Sequence, residues 1–354
     1  MNEDGNIIEN RSEIVFLYDV TNANPNGDPD ENKPRMDTST DINLVSDVRL
    51  KRTIRDYLLE RGNKIFVQEE YNEQGKRKTK DEKSEEVWAA GGGKEAALEK
   101  FKEDFIDLRL FGATIAVGGK KRGRSKKNSG NEDEQVSDKS EIEAVKWTGP
   151  VQFKFGHSIH RVEPVLLKGT TVEPSKEGKS AGTFTEFWYI PYSLISFYGV
   201  INEIAAEDSN LHQSDVDKLL DAIWNGTKGL ITRSKFGQIP RFLMQVIYDK
   251  YFYVGNLDLK LRLRLRSTGE PLNLSDARGK ELRSIDQIDI ELTDIFLTLR
   301  ENRSRIKSIR VRTDRDAHYM LNGITVDGDE LLDKLNAFPG MEGLFVPLSD
   351  VSYQ

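Results

Sequence analysis

Residues 13–35 read EIVFLYDVTNANPNGDPDENKPR, and SDVRLKRTIRDYLLERG follows at 46–62. Glu13–Val20 is rich in β-branched and aromatic residues and predicts a buried strand. Thr21–Asp30 crowds Asn, Gly, Pro and Asp together, which means a loop of several tight turns. Ser46 is a good N-cap and Gly62 a stop signal, so a helix runs from Ser46 to Arg61. At about 100° per residue, Leu50, Ile54, Tyr57 and Leu58 share one face and Arg49, Lys51, Arg52 and Arg55 occupy the other. Arg49 stands where Glu or Gln would close a capping box, and a cation there opposes the helix dipole. An anionic ligand relieves that cost, and the N–H groups of the helix start suit a phosphate. A solvated charged face explains the same pattern equally well.

Outward from this core, strands and helices interleave with long insertions, which makes the class α+β. Helices are predicted at Lys94–Leu110 and Ser214–Thr227, and strands at Trp147–Val162, Pro240–Tyr248, Ile288–Leu292 and Ile306–Arg312. A short helix precedes the last of these. Lys168–Gly182 reads as an exposed hairpin or loop, Thr183–Pro191 as its returning strand, and a helix follows to about Ala206. Leu257, Leu259, Leu261, Leu263 and Leu265 alternate with polar residues and predict one half-buried strand over Asn256–Arg266. The stretch 118–143 is polar, Gly/Ser-rich and charge-blocked, the signature of a flexible loop.

The composition excludes several classes. With 354 residues, 37% hydrophobic and 31% charged, the chain fits a globular protein with a generous polar surface. No run approaches the ~20 apolar residues of a membrane span, and the polar first residues carry no secretory signal, so a cytoplasmic location is expected. Without cysteine there is no disulfide scaffold and no Cys-ligated zinc. A net charge of −7 speaks against non-specific nucleic-acid binding unless the cations cluster, because affinity follows the local field.

Two further segments offer such clusters. In the loop, Asn22, Asn24, Asn26, Lys33 and Arg35 suit a path along a sugar–phosphate backbone, although an ordinary surface loop has the same composition. Thr232, Arg233, Ser234, Lys235 and Phe236 combine hydroxyls, cations and a ring, which suits phosphate contacts and base stacking; a charged helix-to-strand connection reads the same way. Lys120–Lys127 holds six cations in eight residues and is given a minor electrostatic role. Asp19, Asp28, Asp30 and Asp37 are a weak metal signal, since magnesium sites obey no strict spacing. His157 and His160 lack zincin spacing, and no phosphate loop or nucleophile elbow occurs. Catalytic residues, metals and cofactors are therefore not expected.

FLYDVTNANPNGDP (16–29), ENKPR (31–35), NLVSDVRLKRTIRDYL (43–58), GPVQFKFGHSI (149–159) and TRSKFGQIPRFL (232–243) together resemble the backbone subunit of the type I CRISPR surveillance complex Cascade, most closely its type I-B branch. The resemblance runs in order through most of the chain. It implies a hand. The palm is a modified RNA-recognition or ferredoxin-like fold, built from 10–62, 145–161 and 185–354. Helical fingers come from the insertion 63–144, and a β-hairpin thumb from 162–184. It implies that copies stack along a guide RNA (crRNA) and present it for pairing with a target DNA strand. The neighbours would be the 5′-handle-binding, large and small subunits, with no membrane involved. Ser46, Lys51, Arg52 and Arg55, with Arg49 added, would hold guide phosphates. Asn22, Asn24, Asn26, Lys33 and Arg35 would flank the same path. Thr170 and Thr171 would lie near the thumb crossing, and Thr232–Lys235 would face the guide from the other side. Charge reversal at Lys51 and Arg55 is expected to weaken RNA retention and leave the fold intact. The competing readings are a metal-dependent ribonuclease of type III kind using Asp28 or Asp37, and an RNA-binding module outside any CRISPR system.

Overall fold

The structure is a computed structural model that describes residues 6–91, 94–117, 143–170 and 184–353. The chain opens with β1 (Ser12–Ala23), β2 (Met36–Asp37), β3 (Ile42–Val45) and α1 (Asp47–Glu60). The first insertion holds α2 (Lys80–Gly91), α3 (Lys94–Asp104), α4 (Ile106–Phe111), β4 (Gly112–Val117) and β5 (Glu143–Thr148). Next come β6 (Val151–Phe153), β7 (Gly156–Ser158), β8 (Val165–Thr170), β9 (Phe184–Ile201), α5 (Glu203–Ser209), α6 (Gln213–Asp221) and β10 (Gln238–Tyr248). The last part adds β11 (Arg262–Leu265), β12 (Pro271–Leu272), β13 (Ile288–Glu291), α7 (Thr293–Glu301) and β14 (Ile306–Thr313). It ends with β15 (His318–Leu321), β16 (Ile324–Asp327), α8 (Leu331–Asn336) and β17 (Phe345–Pro347). The class is α+β.

β1 lies inside a ten-stranded sheet of order β17-β14-β10-β1-β9-β7-β3-β2, with β6 and β8 also paired to β9. That position explains the unbroken burial of Ser12–Val20. Ile14, Phe16 and Tyr18 enter one core with Leu50, Ile54 and Leu58 of α1, while Val15 and Leu17 enter a second core with β13, α7 and β15. Both faces are covered, so hydrophobic alternation disappears. A smaller sheet, β12-β11-β13-β15-β16, backs the second core, and β4 pairs with β5 beside α2 and α3. Gly156 is required here: a Cβ on it would sit 2.4 Å from the Phe197 ring.

Three expectations are corrected. The return strand does not stop at Pro191. β9 continues to Ile201, and the following helix spans only Glu203–Ser209. Proline survives because it falls opposite Asn22, a step of the β1–β9 ladder where no pair forms and Asn22 takes φ +51°. The segment Asn256–Arg266 is not one strand. Gly255 and Asn256 adopt positive φ, a 3₁₀ turn covers Leu257–Lys260, and Leu259 is 57% exposed; β11 begins only at Arg262. The turn brings buried Asp258 to the Lys154 ammonium, 3.2 Å away, which the leucine pattern could not reveal. Helix 94–110 is broken at Phe105, whose extended backbone lets its ring pack on Phe66. The expected helix Ser214–Thr227 holds, with a π-helical turn at Ala222–Gly226 where Gly226 lets Tyr57 approach. The segment 118–142 with Lys120–Lys127, and the hairpin tip with Thr171, lie outside the described residues. Among the described residues no helix is long and apolar enough to cross a membrane.

Candidate nucleic-acid interface

Three segments far apart in sequence meet at the start of α1. The loop after β1 is tied to the segment before β10: Thr21 N donates to Gly237 O at 3.1 Å and Asn24 N to Ser234 O at 2.8 Å. Gly237 needs its φ of +97°, since a Cβ there would lie 2.7 Å from the Thr21 carbonyl oxygen. Within the loop, the buried Asn24 amide donates to Asn32 O at 2.6 Å. Asn26 then reaches the helix. Its Oδ1 accepts from Ser46 N at 2.9 Å and from Ser46 Oγ at 3.0 Å, and Ser46 Oγ accepts from Arg49 N at 3.3 Å. This is a capping box completed from outside the helix: Asn26 takes the role that a Glu three residues after the cap would play. The Arg49 side chain is thereby left for other work.

The four helix cations do not share one face. Lys51 pairs with Asp47 at 3.0 Å and Arg52 with Asp56 at 2.7 Å, both at helical i,i+4 spacing. Arg55 donates from Nε to Asp107 Oδ2 at 3.0 Å, and its guanidinium lies over the Phe111 ring. Asp107 is fully buried and also accepts from Phe66 N at 2.8 Å and Val67 N at 3.1 Å. Arg55 therefore locks α1 to the inserted helical region. Reversing its charge would bury two like charges together, so the expectation of an intact fold is corrected.

Arg49 turns the other way. It donates to Thr53 Oγ1 at 3.1 Å and lines a cleft with Tyr18, Thr227, Leu230 and Gln238. Lys235 approaches from the facing segment and donates to Asn24 O at 2.5 Å. Among the described residues, neither cation has a carboxylate within ion-pair distance. Burial, and after it the Arg49 charge, pull the Lys235 ammonium down to about 8. Burial likewise lowers Arg49, against a raising effect of Asp56 and Tyr18.

The remaining candidates scatter around this pair. Lys33 stands 4.9 Å from the Trp188 ring centroid and Arg233 5.3 Å from that of Phe187, so the arm of β9 carries a cation–aromatic contact to each loop. Phe187 and Tyr189 also stack. Sequence reasoning missed these rings; the signal was FWYI at 187–190, read only as a strand. Asn22, Arg35, Thr232 and Phe236 are exposed, and Ser234 is half-buried with its carbonyl spent on Asn24. Thr170 closes β8 opposite Phe184. The aspartates do not converge. Asp19 is buried against Arg241, Asp28 caps the turn at Glu31 and Lys33, and Asp37 holds Ser39. Among the described residues no group of three His, Cys, Asp or Glu side chains is placed to hold a metal. His160 is buried, stacked on Tyr192, and kept neutral by burial, with its pKa lowered to about 4.

Comparison with known proteins identifies the family. The family model of CRISPR-associated protein Cas7 matches residues 10–293. A curated relative from Haloferax volcanii, CRISPR-associated protein Cas7, is 30% identical over 351 residues, covering 92% of this chain and 94% of its own. A solved chain of a CRISPR RNA-guided surveillance complex is 15% identical with a TM-score of 0.45, covering 86% of this chain and 90% of its own. Another, from such a complex in a pre-nicking state, is 12% identical with a TM-score of 0.47, covering 88% and 96%. The chain belongs to the Cas7 family.

Proposed function

We propose that this protein is the guide-RNA-binding backbone subunit of a type I surveillance complex, without catalytic activity of its own. Copies line up along the guide RNA and hold it for pairing with the target DNA strand, beside the other subunits of the complex. The observation that carries the reading is the meeting of Arg49 and Lys235 at the junction of the loop, the α1 start and the segment before β10. Both are half-buried cations with no carboxylate among the described residues at ion-pair distance. An acidic protein gains nothing from such a pair unless an anion visits it. Family membership and the stretch FLYDVTNANPNGDP support the same reading, and that stretch is our basis for the type I-B branch. In this reading the sheet around β1 is the palm, the inserted helices α2–α4 are the fingers, and the β8–β9 arm is the base of the thumb. Asn22, Asn24, Asn26, Lys33 and Arg35 flank the guide, and Thr170 and Thr171 lie near the thumb crossing. The ribonuclease alternative is not adopted, because Asp28 and Asp37 spend their carboxylates on local turns.

The test is the salt dependence of single-stranded RNA binding. The slope of log affinity against log salt is about 0.7 for every phosphate that a cation neutralises on a single strand. The double variant Arg49→Gln, Lys235→Gln should bind more weakly with a slope shallower by at least about 0.7, and purified complex should yield a repeat-derived RNA from the wild type. An unchanged slope would remove the pair from the interface.

A further inference from the structure

The arm of β9 is held on both faces by cations. β8 pairs with β9 from Val165 opposite Tyr189 to Thr170 opposite Phe184, and the last pair between β1 and β9 joins Ala23 to Ile190, so this part of β9 runs past the end of β1. Phe187 and Trp188 are successive strand residues and point to opposite faces of the arm. Arg233 lies over the Phe187 ring, 5.3 Å from its centroid, and Lys33 over the Trp188 ring at 4.9 Å. Among the described residues, neither head group donates a hydrogen bond to the protein or has a carboxylate within ion-pair distance. We propose that Trp188 and Phe187 are positioning residues for RNA binding: each holds one cation by its ring face, so that the N–H donors of that cation are set in advance for a phosphate. This rests on the RNA-binding reading above and adds two residues to it.

The physical case is one of preorganisation. Lysine and arginine side chains are rich in rotamers, and fixing them at the moment of binding lowers affinity. A ring attracts the cation through its quadrupole and offers no lone pair for its N–H groups, so the donors of Lys33 and Arg233 remain for a ligand. A carboxylate holds a cation too, but it cancels the charge and uses the donors, as Asp47 does for Lys51 and Asp56 for Arg52.

The backbones beneath the two cations are fixed as well. Lys33 closes a small turn, its carbonyl accepting from Asp28 N at 2.8 Å and its own N donating to Asp28 Oδ1 at 3.3 Å. Arg233 sits in a turn in which Phe236 N donates to Thr232 O at 2.9 Å, and the next carbonyl, that of Ser234, accepts from Asn24 N at 2.8 Å. Loop and segment are thus one frame, and the arm stands between its two cations. On the arm itself, Lys168 pairs with Glu186 at 3.2 Å and leaves both rings to their partners.

The experiment is a double-mutant cycle read as single-stranded RNA affinity and its salt slope, over wild type, Trp188→Leu, Lys33→Gln and the two combined. Trp188→Leu should weaken binding about threefold and leave the slope unchanged, because the cation is still present. In the Lys33→Gln background, whose slope is shallower by about 0.7, the same change should cost nothing further. Trp188→Phe keeps a ring face and should restore most of the affinity. The cycle of Phe187→Leu with Arg233→Gln repeats the test on the other face of the arm, and it stands even where Trp188→Leu folds poorly. Equal losses with and without the cation overturn the assignment for that ring, which would then act on the fold or touch the RNA itself. No binding by the wild type overturns the RNA reading instead.

Discussion

Arg55 and Arg49 belong to the same helix and meet opposite fates. Arg55 points at the inserted region and finds Asp107, a buried carboxylate already held by two backbone N–H groups. Arg49 points at the loop side, donates to Thr53 and lines a small cleft with Gln238, and its charge acts on Lys235. The first neighbourhood turns a charge into a fastening. The second leaves it available. The same division runs through the molecule: Arg109 pairs with Asp215 through two contacts of 2.8 Å, and Arg241 sits between Asp19 and Asp314. A net charge of −7 says little about RNA when the acids are spent fastening one set of cations and another set is left bare.

The largest expected effect tests the fastening. Arg55→Met leaves Asp107 buried without its cation, which costs about 3–5 kcal/mol. Denaturant unfolding should show that loss. If stability held and only RNA affinity fell, Arg55 would belong with Arg49 and the contrast would break. Next comes Asp19, a buried acid whose fastening is incomplete. Burial pushes its carboxyl up to about 6, against the lowering effect of Arg241. A folded pKa above the unfolded ~3.9 gives stability that is whole below about pH 4 and is lost as pH rises through about 6, roughly 3 kcal/mol in all. Asp19→Asn lacks this term. The wild type's unfolding free energy relative to the variant should therefore decline by that amount between about pH 4 and pH 7. A constant difference would mean that Arg241 compensates Asp19 as fully as Arg55 compensates Asp107.

The contrast also marks what could be read in the sequence. Strand, loop, N-cap and helix at 13–62 were legible because their signals are local: β-branched runs, turn residues, Ser46 and Gly62. The pairings Asp47–Lys51 and Arg52–Asp56 were legible in principle, since both lie one helical turn apart. Asp107 was not, because its partner enters from an insertion far along the chain. The same holds for Lys235 and Arg49: both were candidates, but no periodicity says that the charge of one acts on the other. The failures at Pro191 and Asn256 have one cause. Each segment's local pattern was overridden by a partner elsewhere, the unpaired step at Asn22 in one case and the Lys154–Asp258 contact in the other.

Asn26 gives the smallest effect and the sharpest separation of roles. Its Oδ1 accepts both the N–H and the hydroxyl of Ser46, so Asn26→Ala leaves two donors to water at a half-buried site. The cost should be about 1 kcal/mol in unfolding free energy, with little change in RNA affinity. Asn26→Asp keeps the acceptor and sets a negative charge at a helix N-terminus, where it is favourable, so stability should hold or rise slightly. That same charge would supply the carboxylate that Arg49 and Lys235 lack, and RNA should bind more weakly than to the alanine variant. If the two variants ranked the other way, alanine binding RNA worse than aspartate, then Asn26 would act by touching the RNA, and the bareness of the cation pair would not be what attracts it.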